Sequence, residues 1–358
     1  MSDKNDERTF KVLQVGCGGI SNAWLPHVVA HPSLDLVGLV DLNRDAAVKR
    51  AEQHGVPEDR LFTDLADAIR ATGAEVVFDT TVPAAHHIVT TTALSRGCHV
   101  LGEKPMSDRL DRAQQMVAAA SESGKLYAVT QTRRPSDFAR RTVAMIGAGT
   151  IGDVQEVHCD FYVGAGFGRD DRANDFRKTM PHVLLADMAI HTFDTARQLC
   201  GADPVSVYCC AWNPARSRDD VNASAVAVFE MRLPNGDPLV YTYRGSWTNE
   251  GHPTSWNADW RIVGRLGTVH TDGSDVVVAE TIDPADSGFL RETTHHVADP
   301  APDLPQGHLA MINDFVEALL SDGERQPMCP AEDNIKSLAM VLSAIDSAEK
   351  GEKVAVVW

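Results

Sequence analysis

The chain has 358 residues, 43% of them hydrophobic and 23% charged, with a net charge of −17 at neutral pH. These values suit a soluble globular protein of two domains rather than one. The acidity argues against nucleic acid or an anionic membrane surface as the main partner, and no apolar run nears the ~20 residues that a membrane helix needs.

The first predicted strand, with Val12, Leu13 and Val15, stops at Gly16; Gly18 and Gly19 follow, and Ile20 opens a helical segment. Strand, glycine turn and helix in that order let backbone N–H groups approach a pyrophosphate. Ser21 stands where a third glycine or alanine is usual, and it is small enough for close helix–strand packing. A second strand, 36–40, ends at Asp41, an acidic residue placed to hydrogen-bond an adenosine ribose. The plain alternative is a tight turn with no ligand.

Asn43 is expected to cap a helix to about residue 54, and Thr63 to cap one over 64–71. Strands are predicted at 61–62, 75–78, 99–101 and 126–129, and helices at 84–96 and 109–123. This alternation predicts a parallel, doubly wound sheet through residue 130. Beyond it come a helix over 137–146, a strand over 154–163, a glycine- and charge-rich loop over 164–180 and a helix over 183–199. Strands at 205–212, 223–231, 239–246, 260–263 and 268–271 then follow with few helices between them, as in a mainly antiparallel sheet. Helices near 308–320 and 334–350 and a short strand at 354–357 finish the chain. The expected organisation is a dinucleotide-binding domain over 1–130 and an α+β domain over 131–358, α/β overall.

Seven scattered cysteines show neither a CxxC pair nor zinc-ligand spacing, which predicts free thiols in a cytoplasmic setting. The polar segment 2–8 lacks the apolar region of a signal peptide.

Glu103-Lys104-Pro105 falls at the end of a predicted parallel strand. Ligands of such sheets bind beyond those ends. The Lys104 ammonium can hold or polarise a hydroxyl undergoing oxidation; it can equally be a solvated lysine before a turn. Asp187 and His191 are four residues apart on a helix and share a face, with Asp194 nearby. A carboxylate beside an imidazole fixes its tautomer and raises its basicity, as a general base requires; a buried structural pair has the same spacing. His182, Asp187 and His191 have no defining metal-ligand spacing, so no metal is expected. Arg133 and Arg134 lie at the domain join, where they can meet an anion. Of His86 and His87, one is expected to face the cofactor and the other solvent. Trp247, Trp256 and Trp260 read as core or interface.

Gly16-Cys17-Gly18-Gly19-Ile20, Asp41, Val82-Pro83 with His87, Glu103-Lys104-Pro105, Gly149-Thr150-Ile151-Gly152 and Asp187-Met188-Ala189-Ile190-His191, in this order, resemble the Gfo/Idh/MocA family of NAD(P)-dependent oxidoreductases over nearly the whole chain. The resemblance implies a Rossmann domain followed by a domain with an open, mainly antiparallel sheet, whose exposed face joins subunits into a homodimer or homotetramer. It implies NAD, with NADP less favoured, held by Gly16, Cys17, Gly18, Gly19, Ile20, Asp41, Thr81, Val82, Pro83, His87, Glu103, Lys104 and Gln131. It makes Lys104, Asp187 and His191 the catalytic residues. It places Arg133, Arg177 and His182 beside them on a small carbohydrate or polyol substrate. Val82-Pro83-Ala84 replaces the family's frequent Thr-Pro-Asn, and Phe176 stands for the Trp of a Trp-Arg pair. The implied reaction is hydride transfer between nicotinamide and a secondary alcohol of a sugar, cyclitol or related polyol. Relatives that cleave glycosides by transient oxidation, and regulators that bind the dinucleotide without turning it over, remain as alternatives.

Overall fold

The computed structural model describes residues 8–164, 180–214, 222–274, 276–300 and 302–358. The chain divides into two units, Met1–Thr132 with Pro305–Ile335, and Arg133–Leu304 with Lys336–Trp358.

In the first unit, β1 (Phe10–Val15), β2 (Leu34–Val40), β3 (Leu61–Phe62), β4 (Val76–Asp79), β5 (His99–Gly102) and β6 (Tyr127–Val129) pair in parallel in the order β3-β2-β1-β4-β5-β6. Helices α1 (Leu25–Ala30), α2 (Arg44–His54), α3 (Leu65–Thr72), α4 (Pro83–Ser95) and α5 (Leu110–Ser123) connect them. This is the doubly wound order that the alternation predicts, and its switch point lies between β1 and β4. Both faces of such a sheet are covered, which is why the central strands are mainly apolar. Val12, Leu13, Val76, Val77 and Phe78 are all fully buried. Asn43 caps α2 by accepting the Asp45 N–H at 3.1 Å. The cap of α3 is Asp64 rather than Thr63: its carboxylate accepts the Asp67 N–H at 2.8 Å, three residues into the turn.

Helix α8 (Gly307–Leu320) belongs to this unit as well. Its Ile312, Phe315, Val316 and Leu319 share one apolar cluster with Phe10, Trp24, Phe78 and Leu101. The sequence reading carries 131–358 as one domain, whereas the structure returns Pro305–Ile335 to the first unit. The physical reason is that α8 finds the cover for its apolar face there.

The second unit holds a sheet of nine strands: β7 (Val154–Tyr162), β8 (Asp203–Trp212), β9 (Ser224–Arg232), β10 (Pro238–Ser246), β11 (Asp259–Gly264), β12 (Gly267–Thr271), β13 (Val278–Ile282), β14 (Thr293–Val297) and β15 (Val354–Ala355). Their order is β14-β13-β12-β11-β7-β10-β9-β8-β15, antiparallel except for the parallel pair β7 and β10. Among the described residues this unit also holds helices α6 (Asp137–Gly147) and α7 (Ile190–Cys200) and, from Lys336 on, most of α9 (Ala331–Lys350). Along β9 the side chains alternate. Ala225, Ala227, Phe229 and Met231 are buried, and Phe193 of α7 lies against Phe229 and Tyr243 at ring distances of 4.8 and 5.3 Å. Val226 and Val228 point the other way, and with Tyr208, Trp212 and Val240 of the flanking strands they leave an exposed apolar area.

Among the described residues, no helix is long and apolar enough to cross a membrane.

Candidate active site

β1 is followed by Gly16, where φ is +88°. A Cβ there would stand 2.7 Å from the carbonyl carbon and oxygen of Thr80, so both the dihedral and the neighbour demand glycine. Thr80 ties the two strand ends together: its N–H donates to Val15 O and its hydroxyl to Gly16 O, each at 2.8 Å. Gly18 and Gly19 differ, for a Cβ on either meets nothing within 4 Å. The turn therefore presents open space above β1. Its shape is held from beneath by Arg50, which sequence reasoning passed over. Arg50 is buried; its Nε donates to Ser21 Oγ and its Nη2 to Gly18 O, both at 2.9 Å, while Ser21 Oγ donates to Gly18 O at 2.7 Å. The missed signal is that Arg50 shares the buried side of α2 with Ala47 and Ala51. After the turn come a single 3-10 turn, Ile20–Ala23, and a six-residue α1. So short a helix adds few aligned peptide dipoles, and the donors facing the open space are the amides of the turn itself.

Asp41 accepts the Cys17 N–H through Oδ2 at 2.7 Å and the Asn43 N–H through Oδ1 at 2.8 Å, which leaves a lone pair on each oxygen. Burial, reinforced by the Asp41 charge, pushes the Cys17 thiol up to about 12, so it stays protonated. Arg44 is turned to Glu58 at 3.2 Å.

Beyond β4, Asp79 Oδ1 accepts from the Thr81 N–H at 3.0 Å and hydroxyl at 2.6 Å, and Oδ2 pairs with His86 Nδ1 at 2.9 Å. Burial works against a charge on His86, but the Asp79 carboxylate outweighs it and holds the imidazole above its ordinary value. His87 instead meets Gln115 of α5 at 2.7 Å. Val82 is exposed, and Pro83 opens α4. Gln131 is buried, and neither of its amide atoms has a hydrogen-bond partner among the described residues.

At the end of β5 the buried Glu103 accepts from Trp24 Nε1 at 2.8 Å, His308 Nε2 at 3.0 Å and its neighbour's Lys104 N–H at 3.1 Å. Burial alone would raise its pKa, but the donors from His308 and Trp24 prevail and keep the carboxyl below its ordinary range. Lys104 is half-buried, and its peptide bond to Pro105 is cis.

In the second unit, the helix expected over 183–199 begins as a π-turn, Leu184–Ala189, and becomes regular only in α7. Asp187 lies inside the π-turn and His191 near the start of α7, both half-buried. Such turns recur at functional sites because they displace one side chain from the regular helical face. Asp194, expected near that face, is engaged elsewhere. It forms a buried two-point pair with Arg134 at 2.7 and 2.8 Å and accepts from Ser337 at 2.8 Å. Arg133 is buried, donates from Nη2 to the Trp256 carbonyl at 2.5 Å and lies 5.6 Å from the centre of the Phe161 ring. Burial lowers its pKa to about 10. Phe161, Trp247 and Trp256 form an aromatic cluster beside it, with Trp256 exposed, while Trp260 is fully buried. His182 has φ of 50° and lies between Asn222, 3.2 Å from Nδ1, and Glu349, 3.3 Å from Nε2. Arg177 and Phe176 lie outside the described residues.

Residues 10–131 match the profile described as an oxidoreductase family with an NAD-binding Rossmann fold, and residues 139–270 match the GFO/IDH/MocA C-terminal domain. The chain belongs to the GFO/IDH/MocA oxidoreductase family. It is 29% identical over 354 residues to the uncharacterized protein y4oX of Sinorhizobium fredii, with 97% of this chain and 96% of that one covered. It is 21% identical to the 1,5-anhydro-D-fructose reductase of Ensifer adhaerens over 94% of this chain and 96% of that enzyme. Among solved structures, an oxidoreductase from Agrobacterium radiobacter in complex with NAD+, L-tartaric acid and magnesium has the same fold. Its TM-score is 0.82 at 19% identity, over 97% of this chain and 98% of that one. These likenesses account for both sheets in one family architecture.

Proposed function

We propose that this GFO/IDH/MocA member is an NAD-preferring dehydrogenase acting on a secondary alcohol of a sugar, cyclitol or related polyol. One observation carries the reading: the open glycine turn after β1 and the fixed Glu103-Lys104 corner after β5 lie at the same edge of one parallel sheet. The residues present fit a dinucleotide, with open space over Gly18 and Gly19, acceptor capacity on Asp41 and an unengaged buried amide on Gln131. Gly16, Cys17, Gly18, Gly19 and Ile20 would hold its phosphates, Asp41 its ribose, and Thr81, Val82, Pro83, His87, Glu103, Lys104 and Gln131 its nicotinamide half. The carbohydrate reading leans on the named reductase relative.

Bound NAD supplies the hydride acceptor. His191 takes the proton of the substrate hydroxyl, and Asp187 fixes the imidazole tautomer for that role. Lys104, as a cation, stabilises the oxygen while it carries negative charge. Arg133, His182 and Arg177 contact the rest of the substrate. The exposed apolar area on β8, β9 and β10 is the face through which copies assemble into a dimer or a dimer of dimers, in a cytoplasmic setting.

The deciding experiment adds polyols and aryl glycosides to the protein with NAD+ and follows NADH absorbance and released phenol. NADH formation from a polyol supports the proposal. Phenol release without net NADH indicates oxidative glycoside cleavage, and tight NAD+ binding with no turnover indicates a regulator. NADP should bind about 5–150-fold more weakly than NAD, since Asp41 would face a 2′-phosphate. Light scattering that finds a monomer at micromolar concentration would overturn the assembly.

A further inference from the structure

We infer that His308 is a positioning residue for Lys104, acting through Glu103; the functional meaning of this role rests on the dehydrogenase reading above. Glu103 is a carboxylate with 7% of its surface exposed, and it accepts three hydrogen bonds. One fixes the Lys104 backbone at the corner where that side chain leaves the sheet, at 3.1 Å. The other two come from side chains distant in sequence, Trp24 at 2.8 Å and His308 at 3.0 Å. Trp24 can donate only one bond and is otherwise held by the Phe10–Phe78–Phe315 cluster. His308 is the partner that α8 contributes, 205 positions along the chain.

A buried carboxylate that loses a donor rises in pKa or turns towards another cation. The cation next in line is Lys104 itself, whose charge already acts on Glu103. Loss of the His308 donor would thus free the corner and draw Glu103 onto the group it supports. The charged neighbours are few. His27 of α1 faces His308, Lys104 acts on Glu103, and His86 of α4 feels both Glu103 and Asp108. The His308 ring also lies 5.8 Å from the Trp24 ring, so bulk and donor must be separated.

Two substitutions separate them. His308→Gln keeps a donor and loses the ring; His308→Phe keeps the ring and loses the donor. The first readout is the Trp24 indole N–H resonance, identified by its loss in Trp24→Phe, which needs no substrate. It should stay flat between about pH 5 and 8 in His308→Gln, and show a titration step in His308→Phe as Glu103 takes up a proton. The second readout is turnover. His308→Phe should lose about 10–100-fold in kcat, with a new fall at acid pH and little change in NAD affinity, while His308→Gln stays within a few-fold. A flat Trp24 resonance in His308→Phe, or a larger loss in His308→Gln than in His308→Phe, overturns the inference. A protein with no turnover on any polyol that still shows the Trp24 step refutes the dehydrogenase reading and leaves the positioning intact. If His308→Phe does not fold, Glu103→Gln with His308→Phe should fold, because charge and donor leave together; failure of that double variant also overturns the inference.

Discussion

In the first unit the candidate residues sit at strand ends and are fixed through backbone atoms: Asp41 to the Cys17 N–H, Thr80 to Gly16 O, and Glu103 to the Lys104 N–H. In the second they project from a helix and its neighbours, and what surrounds them is mainly side chains, such as Arg134 with Asp194 and Arg133 over Phe161. The contrast teaches where substitution is tolerated. The glycine corner after β1 responds to Cβ atoms and dihedrals, whereas a helix-borne site, like the Glu103 corner with its Trp24 and His308 donors, responds to lost partners. It also matches the division of labour proposed here: a dinucleotide is an invariant ligand that backbone amides can recognise, while side chains recognise the substrate.

The largest expected effect tests whether both units serve one reaction. His191→Ala should lower turnover about 10²–10⁴-fold with cofactor affinity retained in stopped-flow titrations, and Lys104→Ala should lower turnover at least as much. Asp187→Asn should cost less and displace the pH–rate profile. A wild-type rise of kcat/KM with pH that survives in His191→Ala would make Lys104 the base. Next in size, Asp194→Ala strands the buried Arg134 guanidinium and should cost about 3–5 kcal/mol in a denaturant titration, a purely side-chain loss. Smaller and of the opposite kind, Gly16→Ala should cost about 1–3 kcal/mol, since its Cβ meets the Thr80 backbone at 2.7 Å. Gly18→Ala should leave stability within about 0.5 kcal/mol yet weaken NAD binding, measured by calorimetry, because its Cβ enters the open space. The smallest effect is the pH dependence of the Asp79–His86 pair. The folded His86 pKa is raised above its ordinary 6.5, so the pair's contribution is complete below that value and is lost as pH rises through the folded pKa. The stability gap between wild type and His86→Gln should therefore narrow on going alkaline; a widening gap would contradict the pairing.

The features that local patterns encode were legible in the sequence. The glycine turn, Asp41, the strand–helix alternation and the Glu103-Lys104-Pro105 corner all rest on spacing within a few residues, and β9 shows its inward Ala225, Ala227 and Phe229 by simple alternation. The unread parts depend on partners far along the chain. Nothing near Glu103 announces His308, and nothing near Asp194 announces Arg134 or Ser337. Strands β13 and β14 escaped because they lie at one end of the sheet and are short: β14 is polar and mostly exposed, and β13 has only Ala279 buried, so neither carries a clear apolar face. The π-turn escaped because its residues are good helix formers, and the extra residue in its turn leaves no compositional trace. Of His86 and His87, only the geometry shows that His86 is the buried one.

The return of α8 bears on how the protein can be dissected. Residues 1–132 resemble a self-sufficient nucleotide-binding module in sequence, but that segment alone lacks Ile312, Phe315, Val316 and Leu319, which close the cluster around Trp24 and Phe78. Cut there, the fragment would expose a contiguous aromatic surface and aggregate. The smallest excisable form of this unit is discontinuous: 1–132 spliced to 305–335 through a short designed loop that replaces the intervening segment 133–304.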